Sequence, residues 1–88
     1  MGDVAAKIKV MPAGVDTDLE ALKTRLEAAV PEGARLRTFS EEPIAFGLKA
    51  IIALVLVGDI EGGTEQVEEA FAAVDEVESV SVMELGRL

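Results

Sequence analysis

The sequence predicts an α+β protein with the ferredoxin-like split βαβ sandwich, in the order βαββαβ, with a four-stranded antiparallel sheet and two helices on one face. Two segments with apolar residues at helical spacing each stand between segments of strand character, which gives two βαβ halves. Residues 48–57, bounded by Gly47 and Gly58, are apolar at every position except Lys49, as is typical of a central strand covered on both faces. With 88 residues, the chain is expected to form a single domain over residues 1–88.

The first strand and the first helix are predicted by two different periodicities. Residues 3–11 alternate apolar and polar side chains, which predicts a strand with one wet face. Thr17 and Glu20 have the spacing of a capping box, so Thr17 is expected to cap the helix that follows. Pro31 and Gly33 are expected to end this helix. Its apolar stripe consists of Leu19, Leu22, Leu26 and Ala29 or Val30.

The middle of the chain is expected to form two strands joined by a loop. Residues 34–40 alternate again and predict the second strand. Residues 43–47 are expected to be a loop, because Pro43 and Gly47 bracket them and both residue types favour turns. The central strand, residues 48–57, follows directly.

The last third repeats the pattern of helix and strand. After the turn-rich residues 58–63, Thr64 is expected to cap the second helix. Residues 77–85 alternate and predict the fourth strand, which leaves residues 86–88 as a short tail. The apolar face of the helix consists of Val67, Ala70, Phe71 and Val74.

The two faces of the sheet are expected to differ in chemistry. Residues at even positions should face the helices, namely Val4, Ile8, Leu48, Ile52, Leu54, Val80 and Val82. Five basic residues fall at odd positions and should lie on the open face, namely Lys7, Lys9, Arg35, Arg37 and Lys49. These charges either keep the open sheet soluble, which the sequence favours, or steer an acidic partner onto it. The outward residues expected on the two central strands, which are Ala5, Lys7, Lys9, Ile51, Ala53 and Val55, include no aromatic side chain, which argues against RNA binding by base stacking.

The composition argues against several classes of function. The chain has no Cys and no His, which removes disulfides, thiolate metal sites, cysteine nucleophiles and the commonest general base. A net charge of −9 argues against binding to nucleic acid or to an anionic membrane. The longest apolar run, residues 50–57, is too short to cross a bilayer, and no apolar signal segment begins the sequence, so a cytoplasmic protein is expected.

Two polar clusters near the second helix have simple interpretations. Gly62 and Gly63 precede a helix, where backbone N–H groups can bind phosphate, but the P-loop spacing is missing and acidic residues surround them. A turn is therefore expected. Asp59 and Glu61 do not have the spacing of a calcium loop, so no metal site is expected.

Phe46 and Arg87 each have an ordinary and a functional interpretation. From the residues alone, Phe46 is favoured as the first core residue of the third strand, although it could instead project from the loop as an aromatic anchor for a partner. Arg87 follows Gly86 near the end of the sequence, where a frayed and exposed charge is the usual outcome.

The sequence closely resembles the archaeal translation elongation factor 1-beta family over essentially its whole length. The resemblance lies in the opening residues 1–12, the helix residues 18–23, residues 41–48 and residues 57–65. Its most specific part is the Pro-Ile-Ala-Phe-Gly-Leu block at residues 43–48. The resemblance implies the ferredoxin-like fold and a guanine-nucleotide exchange factor, which promotes GDP release from the GTPase elongation factor 1-alpha without covalent chemistry and without a cofactor of its own.

The resemblance also implies which residues contact the GTPase. In eukaryotic relatives the aromatic residue of the block docks on the second domain of elongation factor 1-alpha, which corresponds to Phe46. A penultimate basic residue there reaches toward the magnesium and phosphate region, which corresponds to Arg87, although those relatives have Lys at this position. The implied partner-binding residues are Pro43, Ile44, Phe46, Arg87 and Leu88.

Two other functions stay open at this point. A non-catalytic regulatory or ligand-binding ferredoxin-like domain is the main alternative, and it would be dimeric with a small molecule at its interface. Binding of RNA through the basic face is a third option.

Overall fold

A computed structural model describes residues 3–58 and 63–87, and it confirms the predicted order βαββαβ. Predictions that fall on residues 59–62 and on Leu88 lie outside the described residues. The elements are β1 (Asp3–Pro12), α1 (Leu19–Ala29), β2 (Ala34–Ala45), β3 (Leu48–Gly58), α2 (Gly63–Ala72) and β4 (Val77–Arg87).

The four strands form one antiparallel sheet in the order β2-β3-β1-β4. The first and third strands are therefore central, as predicted, and β2 and β4 are edges. In the β1–β3 ladder, Val4 pairs with Val57 and Val10 pairs with Ile51. One end of the sheet thus holds the β2–β3 hairpin and the β1–α1 loop, and the other end holds the start of β1 and the end of β4.

The core lies between the sheet and the two helices. Leu22 and Leu26 of α1 and Val67 and Phe71 of α2 are fully buried against the same face of the sheet. That face contributes even positions of β1 and odd positions of β3, namely Ala6, Ile8, Val10, Ile51, Ala53, Val55 and Val57. Val80 and Val82 of β4 pack against the same core. This arrangement places both helices on one side of the sheet, as predicted.

The prediction that even positions of β3 face the helices is wrong. Because Ile8 pairs with Ala53, even positions of β1 lie beside odd positions of β3. Ile51, Ala53 and Val55, which were expected on the open face, are buried in the core. Ile52 and Leu54, which were expected in the core, lie on the open face and are half-buried there. The open face of the two central strands still carries no aromatic side chain.

The first helix begins one residue later than the capping-box pattern predicts. The N-cap is Asp18, whose Oδ1 accepts hydrogen bonds from the backbone N–H groups of Glu20 and Ala21 at 3.1 and 3.2 Å. The Thr17 hydroxyl is used elsewhere, because it accepts from the Gly14 N–H and donates to Glu76. Thr64 is not a cap either, since α2 as described begins at Gly63.

All four strands extend past their predicted ends, β1 and β3 by a single residue and β2 and β4 by more. The expected loop at residues 43–47 is mostly strand. β2 continues to Ala45 and includes Pro43, which pairs with Lys49. A proline is tolerated here because β2 is an edge strand and needs no second set of ladder hydrogen bonds. β4 continues through Gly86 to Arg87, where a tail was expected.

Neither of the two helices in the described part of the chain is both long and apolar enough to cross a membrane.

Candidate functional site

The tip of the β2–β3 hairpin is a tight turn with an unusual residue in it. Ala45 pairs with Leu48, so Phe46 and Gly47 alone form the turn. Their φ angles are +54° and +81°, the sign that a type I′ turn requires at both central residues. Gly adopts this region freely, whereas for a bulky side chain such as Phe it is a genuine outlier. Such a conformation costs roughly 1–3 kcal/mol and is commonly found where it serves a function.

The side chain of Phe46 is completely exposed, at 100%. The interpretation of Phe46 as a core residue is therefore wrong. Ile44, two residues before it, is 39% exposed and lies at a register shift between Pro43 and Ala45. The hairpin tip thus presents two large apolar side chains to solvent, one of them on a strained backbone. An aromatic side chain in this setting is well suited to fill a pocket on another protein.

An ion pair fixes the hairpin arm to the first helix. Lys23 Nζ of α1 lies 2.7 Å from Glu41 Oε2 of β2 and 3.2 Å from Glu20 Oε2. The hydrogen bond from Lys23, together with its positive charge, holds the pKa of Glu41 below its usual value of 4.5. The same hydrogen bond raises the pKa of Lys23 above 10.5. The pair adds a contact between α1 and the β2 strand that carries Ile44 and leads to Phe46, which the β2–β3 ladder already holds in the sheet.

Arg87 lies at the opposite end of the sheet from Phe46. It is the last residue of β4 and pairs with Val4, so its backbone is part of the sheet rather than a frayed tail. Val4 in turn pairs with Val57, at the far end of β3 from the hairpin. At about 3.3 Å per residue, β3 separates these two ends by about 30 Å. The structure therefore does not bring Phe46 and Arg87 together, and Leu88 lies outside the described residues.

The open face of the sheet carries three of the five basic residues that were expected there. Lys7, Lys9 and Arg35 pair with Leu54, Ile52 and Leu56, all of which are on the open side. Arg37 falls at a register shift and has no partner in β3. The prediction for Lys49 is wrong. Lys49 lies two residues before the buried Ile51 on the same strand, so its side chain is on the helix side of the sheet.

The positive charge of the open face is partly compensated. Lys7 Nζ lies 3.7 Å from Glu84 Oε1 of β4. Between the basic residues, Ile52, Leu54 and Leu56 form a half-buried apolar stripe. The face is consequently mixed in character rather than uniformly basic.

One exposed residue at the hairpin end was not singled out from the sequence. Val15, in the β1–α1 loop, is 61% exposed and lines a cleft with Gly47 of the hairpin. A single valine in a loop gives no periodic signal, so only the fold shows that it lies near Phe46.

A ferredoxin-like sandwich with a strained and fully exposed aromatic residue at a hairpin tip has the features of a protein-binding domain. The chain belongs to the family described as EF-1 guanine nucleotide exchange domain, whose sequence profile matches residues 5–88. This confirms the predicted family and the guanine-nucleotide exchange role in translation elongation that the resemblance implies.

Individual relatives match over their whole length. Elongation factor 1-beta of Methanococcoides burtonii is 68% identical over 87 residues, which cover 99% of this chain and 98% of the relative. The proteins of the same name from Halorubrum lacusprofundi and Methanothermobacter thermautotrophicus are 58% and 51% identical, over 100% of this chain and 100% and 99% of theirs.

A solved structure supports the fold independently. The solution structure of the C-terminal domain of the MgtC protein from Mycobacterium tuberculosis superposes with a TM-score of 0.53, covering 99% of this chain and 87% of that domain. The sequence identity is 12%, so this likeness concerns the fold alone.

Proposed function

We propose that this protein binds the GTPase elongation factor 1-alpha in the cytoplasm and accelerates release of its GDP, so that the GTPase reloads with GTP during protein synthesis. The observation that carries the proposal is Phe46, which is fully exposed on a strained turn in a chain of the exchange family. A protein retains such a costly arrangement where a partner covers the side chain.

In this proposal the hairpin tip is the docking site. Phe46 inserts into a pocket of the GTPase, and Ile44 and Pro43 pack beside it on the partner surface. Burial of an aromatic side chain removes a large apolar area from water, and such residues commonly dominate the binding free energy of an interface.

The opposite end of the molecule acts on the nucleotide site. Arg87 and Leu88 contact the region of the GTPase that holds magnesium and phosphate. The backbone of Arg87 lies about 30 Å from the hairpin tip. A positive charge there disfavours the magnesium ion and weakens the hold on the phosphates. The planar guanidinium of Arg87 also forms paired hydrogen bonds with phosphate or carboxylate, which a lysine ammonium does not.

Exchange requires no covalent chemistry of this protein. A factor that binds the nucleotide-free GTPase more tightly than the GDP-bound form lowers the affinity for GDP by the same ratio. The nucleotide and the magnesium ion belong to the GTPase. In this proposal the chain itself binds no cofactor, no nucleic acid and no membrane.

The test is the rate of release of fluorescent GDP from the matching elongation factor 1-alpha, chased with excess unlabelled GDP. Catalytic amounts of this protein are expected to accelerate release strongly. The GTPase must be shown to bind GTP and GDP in the same preparation. No acceleration with such an active GTPase would contradict the proposal and favour the regulatory ligand-binding domain instead.

A further inference from the structure

A second exposed apolar side chain lies at the hairpin end of the molecule. Val15 belongs to the β1–α1 loop, residues 13–18, and is 61% exposed. Since Val10 at the end of β1 pairs with Ile51 near the start of β3, this loop emerges next to the hairpin that carries Phe46. Two chain segments that are far apart in sequence thus present apolar side chains at the same end of the sheet.

A cleft of about 210 Å³ separates the loop from the hairpin and is called here the loop–hairpin cleft. Val15, Thr17 and Leu19 line it on the loop side, and Gly47 and Lys49 line it on the hairpin side. An engineered cavity of roughly 150 Å³ already holds a benzene molecule. The loop–hairpin cleft is therefore large enough for a side chain of a partner.

Lys49 gives the cleft a positive charge that forms no close ion pair within the described part of the chain. No carboxylate among the described side chains lies within 4.0 Å of its ammonium group. Glu41 forms its close ion pair with Lys23, at 2.7 Å, and Lys23 is the main cause of its lowered pKa. Lys49 adds only a smaller charge effect in the same direction, from beyond ion-pair distance. In a protein of net charge −9, a cation in this position favours an acidic group from outside.

The loop side of the cleft is held in place before any partner binds. The Ala13 N–H donates to the Glu76 carbonyl at 2.7 Å, and the Thr17 hydroxyl donates to Glu76 Oε2 at 3.1 Å. Thr17 also accepts from the Gly14 N–H at 3.2 Å. Glu76, which accepts both of these hydrogen bonds, has a φ of +72°, an uncommon conformation for a residue other than glycine. A preformed surface loses less conformational entropy on binding.

We propose that the loop–hairpin cleft is a second docking site for the same GTPase that Phe46 contacts, and that it accepts an acidic side chain set in an apolar surface. Val15 packs against the apolar surface, and Lys49 pairs with the acidic group. Thr17 is a positioning residue that holds Val15 beside the hairpin. The inference rests on the proposed exchange function, since it names further contacts of the same partner.

The test is the dissociation constant of the complex with nucleotide-free elongation factor 1-alpha, measured by titration for four single variants. Val15→Ser is expected to weaken binding about 5-fold, because it removes an apolar side chain that the partner would cover. Lys49→Gln is expected to weaken binding to a similar extent at low salt and to flatten the salt dependence, because the pair it removes is screened by ions. Met83→Ser and Arg25→Gln remove one exposed apolar and one exposed basic side chain outside the cleft, and both are expected to bind like the unaltered protein.

The outcomes separate this inference from the proposed function. If the unaltered protein binds and Phe46→Ala binds poorly, but Val15→Ser and Lys49→Gln match the two controls, the cleft proposal is overturned and the exchange function stands. If the unaltered protein neither binds nor accelerates GDP release, both are overturned. Thr17→Val should weaken binding, whereas Thr17→Ser, which keeps the hydroxyl, should bind like the unaltered protein. If both variants bind like the unaltered protein, Thr17 is not a positioning residue.

Discussion

Phe46 combines two unfavourable properties in one residue. Its side chain is fully exposed, and its backbone occupies a region that bulky residues rarely adopt. Neither property contributes to folding, because Phe46 touches none of the core. The turn geometry presents the exposed ring at the very end of the hairpin, where the proposed partner would cover it.

Phe46→Asn should therefore stabilise the protein while removing the docking contact. Asn followed by Gly is the preferred sequence of a type I′ turn, so the free energy of unfolding should rise by about 1 kcal/mol. Affinity for elongation factor 1-alpha should fall by about 2 kcal/mol, which is roughly 30-fold. Urea unfolding and a binding titration measure the two effects. A variant that is less stable than the unaltered protein would contradict the proposed backbone strain.

The ion pair between Glu41 and Lys23 should make a pH-dependent contribution to stability. Since the pKa of Glu41 is lowered on folding, its contribution is present above 4.5 and is lost as pH falls through the folded value. Since the pKa of Lys23 is raised, its contribution is present below 10.5 and is lost as pH rises through its folded value. Glu41→Gln should unfold at a lower temperature than the unaltered protein at pH 7, and the difference should vanish in strong acid. A difference that persists at pH 2 would show that the charge is not its source.

The elements show which features the sequence predicts and which depend on pairing. Helices α1 and α2 and the central position of β3 follow from apolar periodicity and run length, and all are confirmed. The inward face of β3 could not be predicted, because an apolar run such as residues 48–57 has no polar side to mark the open face. Only its register with β1, in which Ile8 meets Ala53, decides that odd positions are buried.

The hairpin was missed for a related reason. Pro43 usually ends a strand, but the edge position of β2 tolerates it, and edge position is a property of the finished sheet. The pair Phe46-Gly47 also differs from the Asn-Gly and Asp-Gly pairs that are typical of a two-residue turn. The residues alone left the docking role of Phe46 as the less favoured alternative, and the resemblance made it the favoured one. Val15 was found only from its place in the fold.

The cap of α1 gives a test at the level of an element. Asp18→Ala should lower the free energy of unfolding by about 1 kcal/mol, because two backbone N–H groups lose their acceptor. Asp18→Asn should recover most of this loss. Urea unfolding at pH 7 measures both variants. If Asp18→Ala were as stable as the unaltered protein, Asp18 would not be the cap.

At the scale of the whole molecule, the two implied contact regions lie at opposite ends of an elongated domain. The domain measures 42 × 20 × 17 Å along its principal axes, and the sheet spans the distance between Phe46 and Arg87. A single partner that meets both ends must itself extend over about 30 Å. Together with the proposed function, this separation predicts docking at the hairpin end and action on the nucleotide at the β4 end.

If docking and nucleotide release take place at opposite ends, variants at the two ends should have different effects on binding and on exchange. Deletion of Arg87 and Leu88 should reduce exchange more than binding, because the loop–hairpin end still holds the GTPase. Parallel measurements of affinity and of GDP release check this. Equal losses of affinity and of the GDP release rate would mean that Arg87 is only a binding contact.

The most direct test of the account is the rate of GDP release as a function of exchange-factor concentration, for the unaltered protein, Phe46→Ala and Arg87→Ala. The account predicts that Phe46→Ala needs a higher concentration to reach nearly the same maximal rate, because docking alone is weakened. Arg87→Ala should reach half of its maximal GDP release rate at nearly the same concentration as the unaltered protein, but that maximal rate should be lower. If both variants changed the same parameter, or if neither changed either, the assignment of docking and nucleotide release to opposite ends of the molecule would be wrong.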